Sequence, residues 1–167
     1  CGWCGSRHLD ELCARLEPLP DGGPIDLDVI GSIVDAVLDG QGLFASTGSV
    51  HAAAAFDTSG VVLLTREDVG RHNAVDKIAG WMFQERVPAH DKIFYTTGRL
   101  TSEMVIKGAQ MGIPFLLSRS GVTNMGLDMA KRVGLTLVGR CSGQHFLIYH
   151  GAERIVPSAV DVAAVTS

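Results

Sequence analysis

Aromatic residues are scarce at 6%, and the formal net charge of −4 over 167 residues leaves no strong excess of one sign. A weak, slightly acidic balance supplies no basic field for a polyanion, so long nucleic acid is excluded as a partner and any nucleotide must be held by local groups. No apolar run approaches the roughly 18 residues that suggest a membrane span, and the chain opens without a charged-then-apolar leader, so a soluble, cytoplasmic protein with no membrane contact is expected. Cysteine is also sparse. Cys1, Cys4, Cys13 and Cys141 do not form the framework of paired spacings that staples a secreted domain. There is no internal repeat and no low-complexity tract. Because the chain starts at Cys1, a fragment or processed product lacking an N-terminal part is the expectation.

What is present is a hydrophobic fraction of 46% and 20 glycines. That composition suits one globular domain with a sizeable core and many tight turns. Residues 1–24 hold three of the cysteines and then Pro18, Pro20 and Asp21-Gly22-Gly23-Pro24, which predicts a mobile Cys-containing segment ahead of a domain over 25–167. Apolar residues at Ile30, Ile33, Val34, Val37 and Leu38 have helical spacing, ended by Gly40 and Gly42. Strands are predicted over 51–56 and 61–65 around the turn Asp57-Thr58-Ser59-Gly60, and a helix over 73–85. Strand 92–96, helix 101–111, strand 114–118, helix 123–133 and strands 135–138 and 146–149 follow. This alternation predicts an α/β fold, a three-layer sandwich whose mixed, mostly parallel sheet has a hairpin at each end. Residues 151–167 have weak periodicity, either an edge helix or loose chain.

Four segments carry chemistry. Cys1-Gly2-Trp3-Cys4-Gly5 places two accessible thiols three residues apart, suited to attack on a persulfide and release of its sulfur by exchange. With His8 and Cys13 the same cysteines also make a near-miss of a zinc-knuckle spacing, so sulfur chemistry and structural zinc both stand on spacing alone. The run Arg66-Glu67-Asp68-Val69-Gly70-Arg71-His72-Asn73-Ala74-Val75-Asp76-Lys77 is unusually polar for a strand-to-helix connection. Arg71 there suits a phosphate, and Asp68 or Asp76 suits the two donors of a guanine edge; a solvated turn with Asn73 as helix cap is the plainer reading. Thr97-Gly98-Arg99 lies at the carboxyl end of a strand before a helix, where anions bind; Thr101 as a simple cap is compatible with this. His51, at the start of an Ala-rich strand, reads as a ligand or as a hydrogen-bonded core histidine. Arg140-Cys141-Ser142-Gly143-Gln144-His145 reads by itself as a hairpin loop.

Taken in order, Cys-Gly-x-Cys-Gly, Thr-Gly-x-Val-His-x-Ala-Ala, the twelve-residue run at 66–77 and Gly-Arg-x-Thr-Ser-Glu-Met-Val resemble the FdhD family of formate dehydrogenase accessory sulfurtransferases. The resemblance covers roughly residues 1–150, the catalytic C-terminal part of such proteins. It implies a cytidine deaminase-like fold, a homodimer, and transfer of sulfur from a cysteine desulfurase to the Mo-bis(molybdopterin guanine dinucleotide) cofactor of formate dehydrogenase. By position it implies a persulfide on Cys1 with Cys4 as companion. It also implies a cofactor site drawn from Arg140, Cys141, Ser142, Gly143, Gln144 and His145, with Arg66, Asp68, Arg71, His72, Asn73, Thr97, Gly98, Arg99 and His51 lining the cleft, GDP as a mimic, and no zinc. The chain departs from the family at Gln144-His145, where Gly-Arg is usual, and at Arg140, where an aromatic residue is common. These departures bear on phosphate grip and base stacking respectively. Zinc deaminase chemistry is disfavoured, since His51-Ala52-Ala53 lacks the glutamate of a His-x-Glu and no Pro-Cys-x-x-Cys occurs. The competing function is a zinc-stabilised binding module without catalysis.

Overall fold

The computed structural model describes residues 16, 18–40 and 42–157. Eight strands and five helices follow the chain: β1 (Ile25–Asp26), α1 (Leu27–Asp39), α2 (Gly42–Thr47), β2 (His51–Asp57), β3 (Val62–Asp68), α3 (Arg71–Gln84), β4 (Lys92–Thr96), α4 (Ser102–Met111), β5 (Phe115–Ser118), α5 (Asn124–Val133), β6 (Thr136–Ser142), β7 (His145–His150) and β8 (Ile155–Val156), with a 3-10 turn at Ala152–Arg154.

Local chemistry sets these bounds. Asp26 caps α1 by accepting from the Asp28 amide, and the buried Ile30, Ile33, Val34 and Val37 fall at the spacing that makes one apolar stripe. Each such aliphatic side chain stabilises the fold by roughly 1.5–3 kcal/mol relative to leaving it in water. Thr123 caps α5 by accepting from the Gly126 amide at 3.1 Å, and Lys131 and Arg132 lie in its last turn, where the helix dipole favours cations. Gly112 and Gly134 end α4 and α5 with φ of 78° and 71°, a conformation that disfavours any residue with a Cβ.

The six-stranded sheet has the order β3-β2-β4-β5-β6-β7. Two neighbouring pairs, β4/β5 and β5/β6, are parallel, whereas β2/β3, β2/β4 and β6/β7 are antiparallel. The expected mostly parallel sheet is therefore corrected to a mixed, mostly antiparallel one. The reason is an insertion: β3 and β4, joined by the α3 crossover, do run parallel, but the first hairpin places β2 between them and antiparallel to both.

The sheet is covered on both faces. On one side Ala53, Ala55, Phe94, Leu116 and Leu137 pack under α3, α4 and α5; on the other, Ala52, Ala54, Phe56, Tyr95, Leu117 and Val138 pack under α1. The central strands β4 and β5 are buried throughout, as strands covered on two faces must be. The described part of the first segment also touches this body: the Leu19 amide donates to the Val133 carbonyl at 3.0 Å, and Arg154 Nε donates to Asp21 at 2.9 Å. The tail forms β8, which pairs with β1 in parallel.

Candidate functional site

The carboxyl ends of β3, β4, β5 and β6 and the start of β2 all meet at one edge of the sheet, and the loops leaving that edge are laced together. Thr97 extends β4: its amide donates to the Ala52 carbonyl at 3.0 Å, while its Oγ1 accepts from the Ala52 amide at 2.9 Å and lies 3.3 Å from His51 Nδ1. Ser118 Oγ donates to the Gly98 carbonyl at 2.7 Å and accepts from the Ser120 amide at 2.9 Å, and Ser120 Oγ donates to the Thr97 carbonyl at 2.9 Å. The Arg140 amide closes the series on the Ser120 carbonyl at 3.0 Å. Hydroxyls near the ends of two strands thus replace the ladder bonds that the diverging chains lose.

Above this lacing opens a cleft of about 660 Å³. Its lining includes the basic Arg99, Arg119 and Arg140, the apolar Phe44, Val50 and Val122, and His51, Thr97, Ser120, Gly121 and Thr123. Among the described residues no carboxylate lines it. Three guanidiniums lining one concave space can hold an anion, with the fork geometry that matches phosphate oxygens. Arg140 adopts φ 58°, unusual for a residue with a Cβ, at the irregular end of β6. Its guanidinium lies across Gly121, where an added Cβ would sit 3.3 Å from Nε. With this uncommon backbone conformation the arginine side chain lines the cleft.

The predicted residues divide sharply. His51, Thr97, Arg99 and Arg140 line the cleft. Gly98 lies beneath it, and Arg71 packs against Gly98 so closely that a Cβ there would come within 2.9 Å of the Arg71 side chain. The buried Arg71 Nε finds no hydrogen-bond acceptor among the described residues. His72 lies 3.8 Å from Glu103. Its pKa is held below the ordinary range by desolvation first, then by Arg71 and Lys107, against the opposing pull of Glu103 and Asp76. Asp68 is committed elsewhere: it pairs with Lys77 at 2.6 Å and accepts from the Gly70 amide at 2.9 Å and from Asn73 Nδ2 at 3.1 Å. The Lys77 contact first, then the other two, hold its carboxyl down at about 2. Asp76 pairs with Lys107 at 2.6 Å. Neither carboxylate reaches the cleft, so the guanine-edge role expected of them has no support in this geometry. Asn73 does not cap α3: the N-cap position falls at Gly70, and Asn73 lies inside the first turn with its Nδ2 donating to Asp68. Arg66 is exposed on edge strand β3 and donates to its neighbour's carbonyl.

The 140–145 segment is a tight hairpin, and only Arg140 faces the cleft. Cys141 points the opposite way into the α1 core, where burial pushes its thiol up to about 11. A buried thiol in that state is neither a ligand contact nor a nucleophile. The Gln144 side chain lies over Gly31 of α1, 2.7 Å from where a Cβ would be, and His145 pairs with Ser142 across the turn formed with Gly143. Cys1, Cys4, His8 and Cys13 lie outside the described residues. Among the described residues no cluster of three or more His, Cys, Asp or Glu is placed to hold a metal.

Arg119, Ser120, Val50, Val122 and Phe44 were not predicted. Ser118-Arg119-Ser120-Gly121 follows β5 just as Thr96-Thr97-Gly98-Arg99 follows β4, so the strand-end rule that singled out Arg99 also points to Arg119. Phe44 carried no such signal, because α2 is too short for a periodic pattern.

The family described as FdhD/NarQ matches residues 1–156. Similar proteins include the sulfur carrier protein FdhD of Nocardia farcinica, 42% identical over 93% of this chain and 57% of that protein, and that of Sulfurisphaera tokodaii, 41% identical over 93% and 60%. A solved structure described as a formate dehydrogenase accessory protein from Desulfotalea psychrophila superposes with a TM-score of 0.80 at 37% identity, covering 87% of this chain and 62% of that one. The chain spans less than two thirds of the length of these relatives.

Proposed function

From membership of the FdhD/NarQ family, to which this chain belongs, we propose that it is the sulfur-transferring part of a carrier that loads a molybdenum cofactor for formate dehydrogenase. The donor is a cysteine desulfurase in the cytoplasm. The Cys1 thiolate attacks the terminal sulfur of the desulfurase persulfide, releasing the donor thiolate and leaving a persulfide on Cys1. Cys4 then attacks the inner sulfur: sulfide departs toward the metal, a Cys1–Cys4 disulfide remains, and a thiol reductant returns it to the dithiol. The acceptor is the Mo-bis(molybdopterin guanine dinucleotide) cofactor, whose guanosine diphosphate ends are held by two copies of the chain. A cytidine deaminase-like ancestry for the fold belongs to the same proposal.

The observation that carries the reading is the cleft lined by Arg99, Arg119 and Arg140 and, among the described residues, by no carboxylate. A diphosphate needs this arrangement, and a cofactor with such ends is the cargo that the family's role calls for. Two measurements test it. Titration calorimetry with GDP must show binding, and intact mass after incubation with a desulfurase and cysteine must show a gain of one sulfur atom. Loss of stoichiometric zinc on Cys13→Ala, with no sulfur gain in the native chain, favours the zinc-stabilised module instead.

A further inference from the structure

One lip of the cleft is α2, a single six-residue helical segment, and it is fastened in an unusual way. Both carboxylate oxygens of Glu67 accept from its first amides, Leu43 N at 2.8 Å and Phe44 N at 2.9 Å. Glu67 belongs to edge strand β3, where its backbone is paired with Ala52 of β2, so the latch connects the lip to the edge of the sheet. Leu43 is half exposed and Phe44 is 36% exposed, so little apolar burial holds the lip in place. Phe44 nevertheless lines the cleft, together with Val50 and the three arginines. A cleft lined by three arginines and an aromatic ring fits a ligand that is anionic at one end and flat and apolar at the other.

Building on the proposed nucleotide cleft, we propose that Phe44 is the surface on which the purine of a nucleoside diphosphate stacks, and that Glu67 is the positioning residue that sets Phe44 by holding the start of α2. Stacking on an aromatic face tolerates any base, because every base has a π-face. With no carboxylate lining the cleft among the described residues to read donors, the single chain therefore distinguishes purine diphosphate from bare diphosphate, and not guanine from adenine.

The test uses the 167-residue chain with GDP, ADP and inorganic pyrophosphate as probes. Phe44→Ala weakens GDP and ADP alike, by about tenfold, the lower end of what loss of a base-stacking ring costs, while pyrophosphate affinity is unchanged. Phe44→Trp keeps GDP affinity and adds an indole emission that GDP quenches and pyrophosphate does not, measured against the native Trp3 and Trp81 background. In the Phe44→Trp chain, Glu67→Gln, which keeps one acceptor oxygen, loses part of that quenching, and Glu67→Ala loses most of it, with melting temperatures unchanged. GDP affinity untouched by Phe44→Ala overturns the inference and leaves the anion cleft standing. Equal loss of GDP and pyrophosphate also overturns it, since the lip is then shaping the arginines. A native chain that binds neither probe overturns the cleft reading and the inference together.

Discussion

Arginine is the residue on which the cleft depends, and the four that were singled out, Arg66, Arg71, Arg99 and Arg140, together with Arg119, do not share one environment. Arg99, Arg119 and Arg140 face the cavity, whereas Arg66 is on the exposed edge strand. Replacing any of the first three with alanine should weaken GDP about tenfold or more, since a hydrogen bond to a charged group is worth about 1.5–3 kcal/mol, and Arg66→Ala should leave it within about twofold. Calorimetry on the four variants decides this; an Arg66→Ala effect equal to the others would place the anion elsewhere. Asp68 supports a second prediction. Its carboxyl sits at about 2 against an ordinary 3.8, so its contribution to stability is fully present above about pH 4 and fades as pH falls toward 2. The melting-temperature gap between the native chain and Asp68→Asn should therefore be constant near neutrality and shrink in acid. A gap that does not change with pH would mean the Lys77, Gly70 and Asn73 contacts do not depend on the ionised form.

At the scale of elements, long amphipathic or wholly apolar stretches were legible in the sequence and short ones were not. The stripe in α1 and the apolar runs of β4 and β5 announce themselves, and their observed bounds agree closely with the predicted ones. The sheet direction was not legible, because nothing in the chain says that β2 slips between β3 and β4; that is a matter of pairing, not of local pattern. The polar run at 66–77 was legible as special but not in its division, since its first three residues continue β3 and Glu67 serves α2 instead of a ligand. The β1/β8 pair is two residues on each strand and falls below any periodic signal. Packing between elements gives a paired prediction. A Cβ on Gly126 at the start of α5 would lie 2.4 Å from the Leu100 carbonyl oxygen, whereas one on Gly80 of α3 meets nothing. Gly126→Ala should cost about 1–3 kcal/mol, and Gly80→Ala should add about 0.5–1 kcal/mol by stiffening an exposed helical position. Thermal or urea unfolding reads both, and equal effects would show that α5 is not docked against Leu100.

For the molecule as a whole, the question is whether the cysteines act on a finished fold or help to make one. Both apolar layers close with residues from 25 to 141, and among the described residues those before 25 add only partly buried contacts at Leu16 and Leu19. Among the described residues the energy of burial thus resides in the sheet and its helices. Cys1→Ala should melt with the native chain, within the roughly 0.5 kcal/mol typical of surface changes, and should gain no sulfur in intact mass after incubation with a desulfurase and cysteine. Cys4→Ala should still gain the sulfur but release it slowly, because the attacking thiol for exchange is gone. The two readouts separate the competing roles. A Cys1→Ala chain that unfolds and sheds zinc makes the cysteines structural. One that keeps its melt and still gains sulfur puts the persulfide on another cysteine, and Cys141 is the poorest candidate because its thiol is buried and pushed up to about 11.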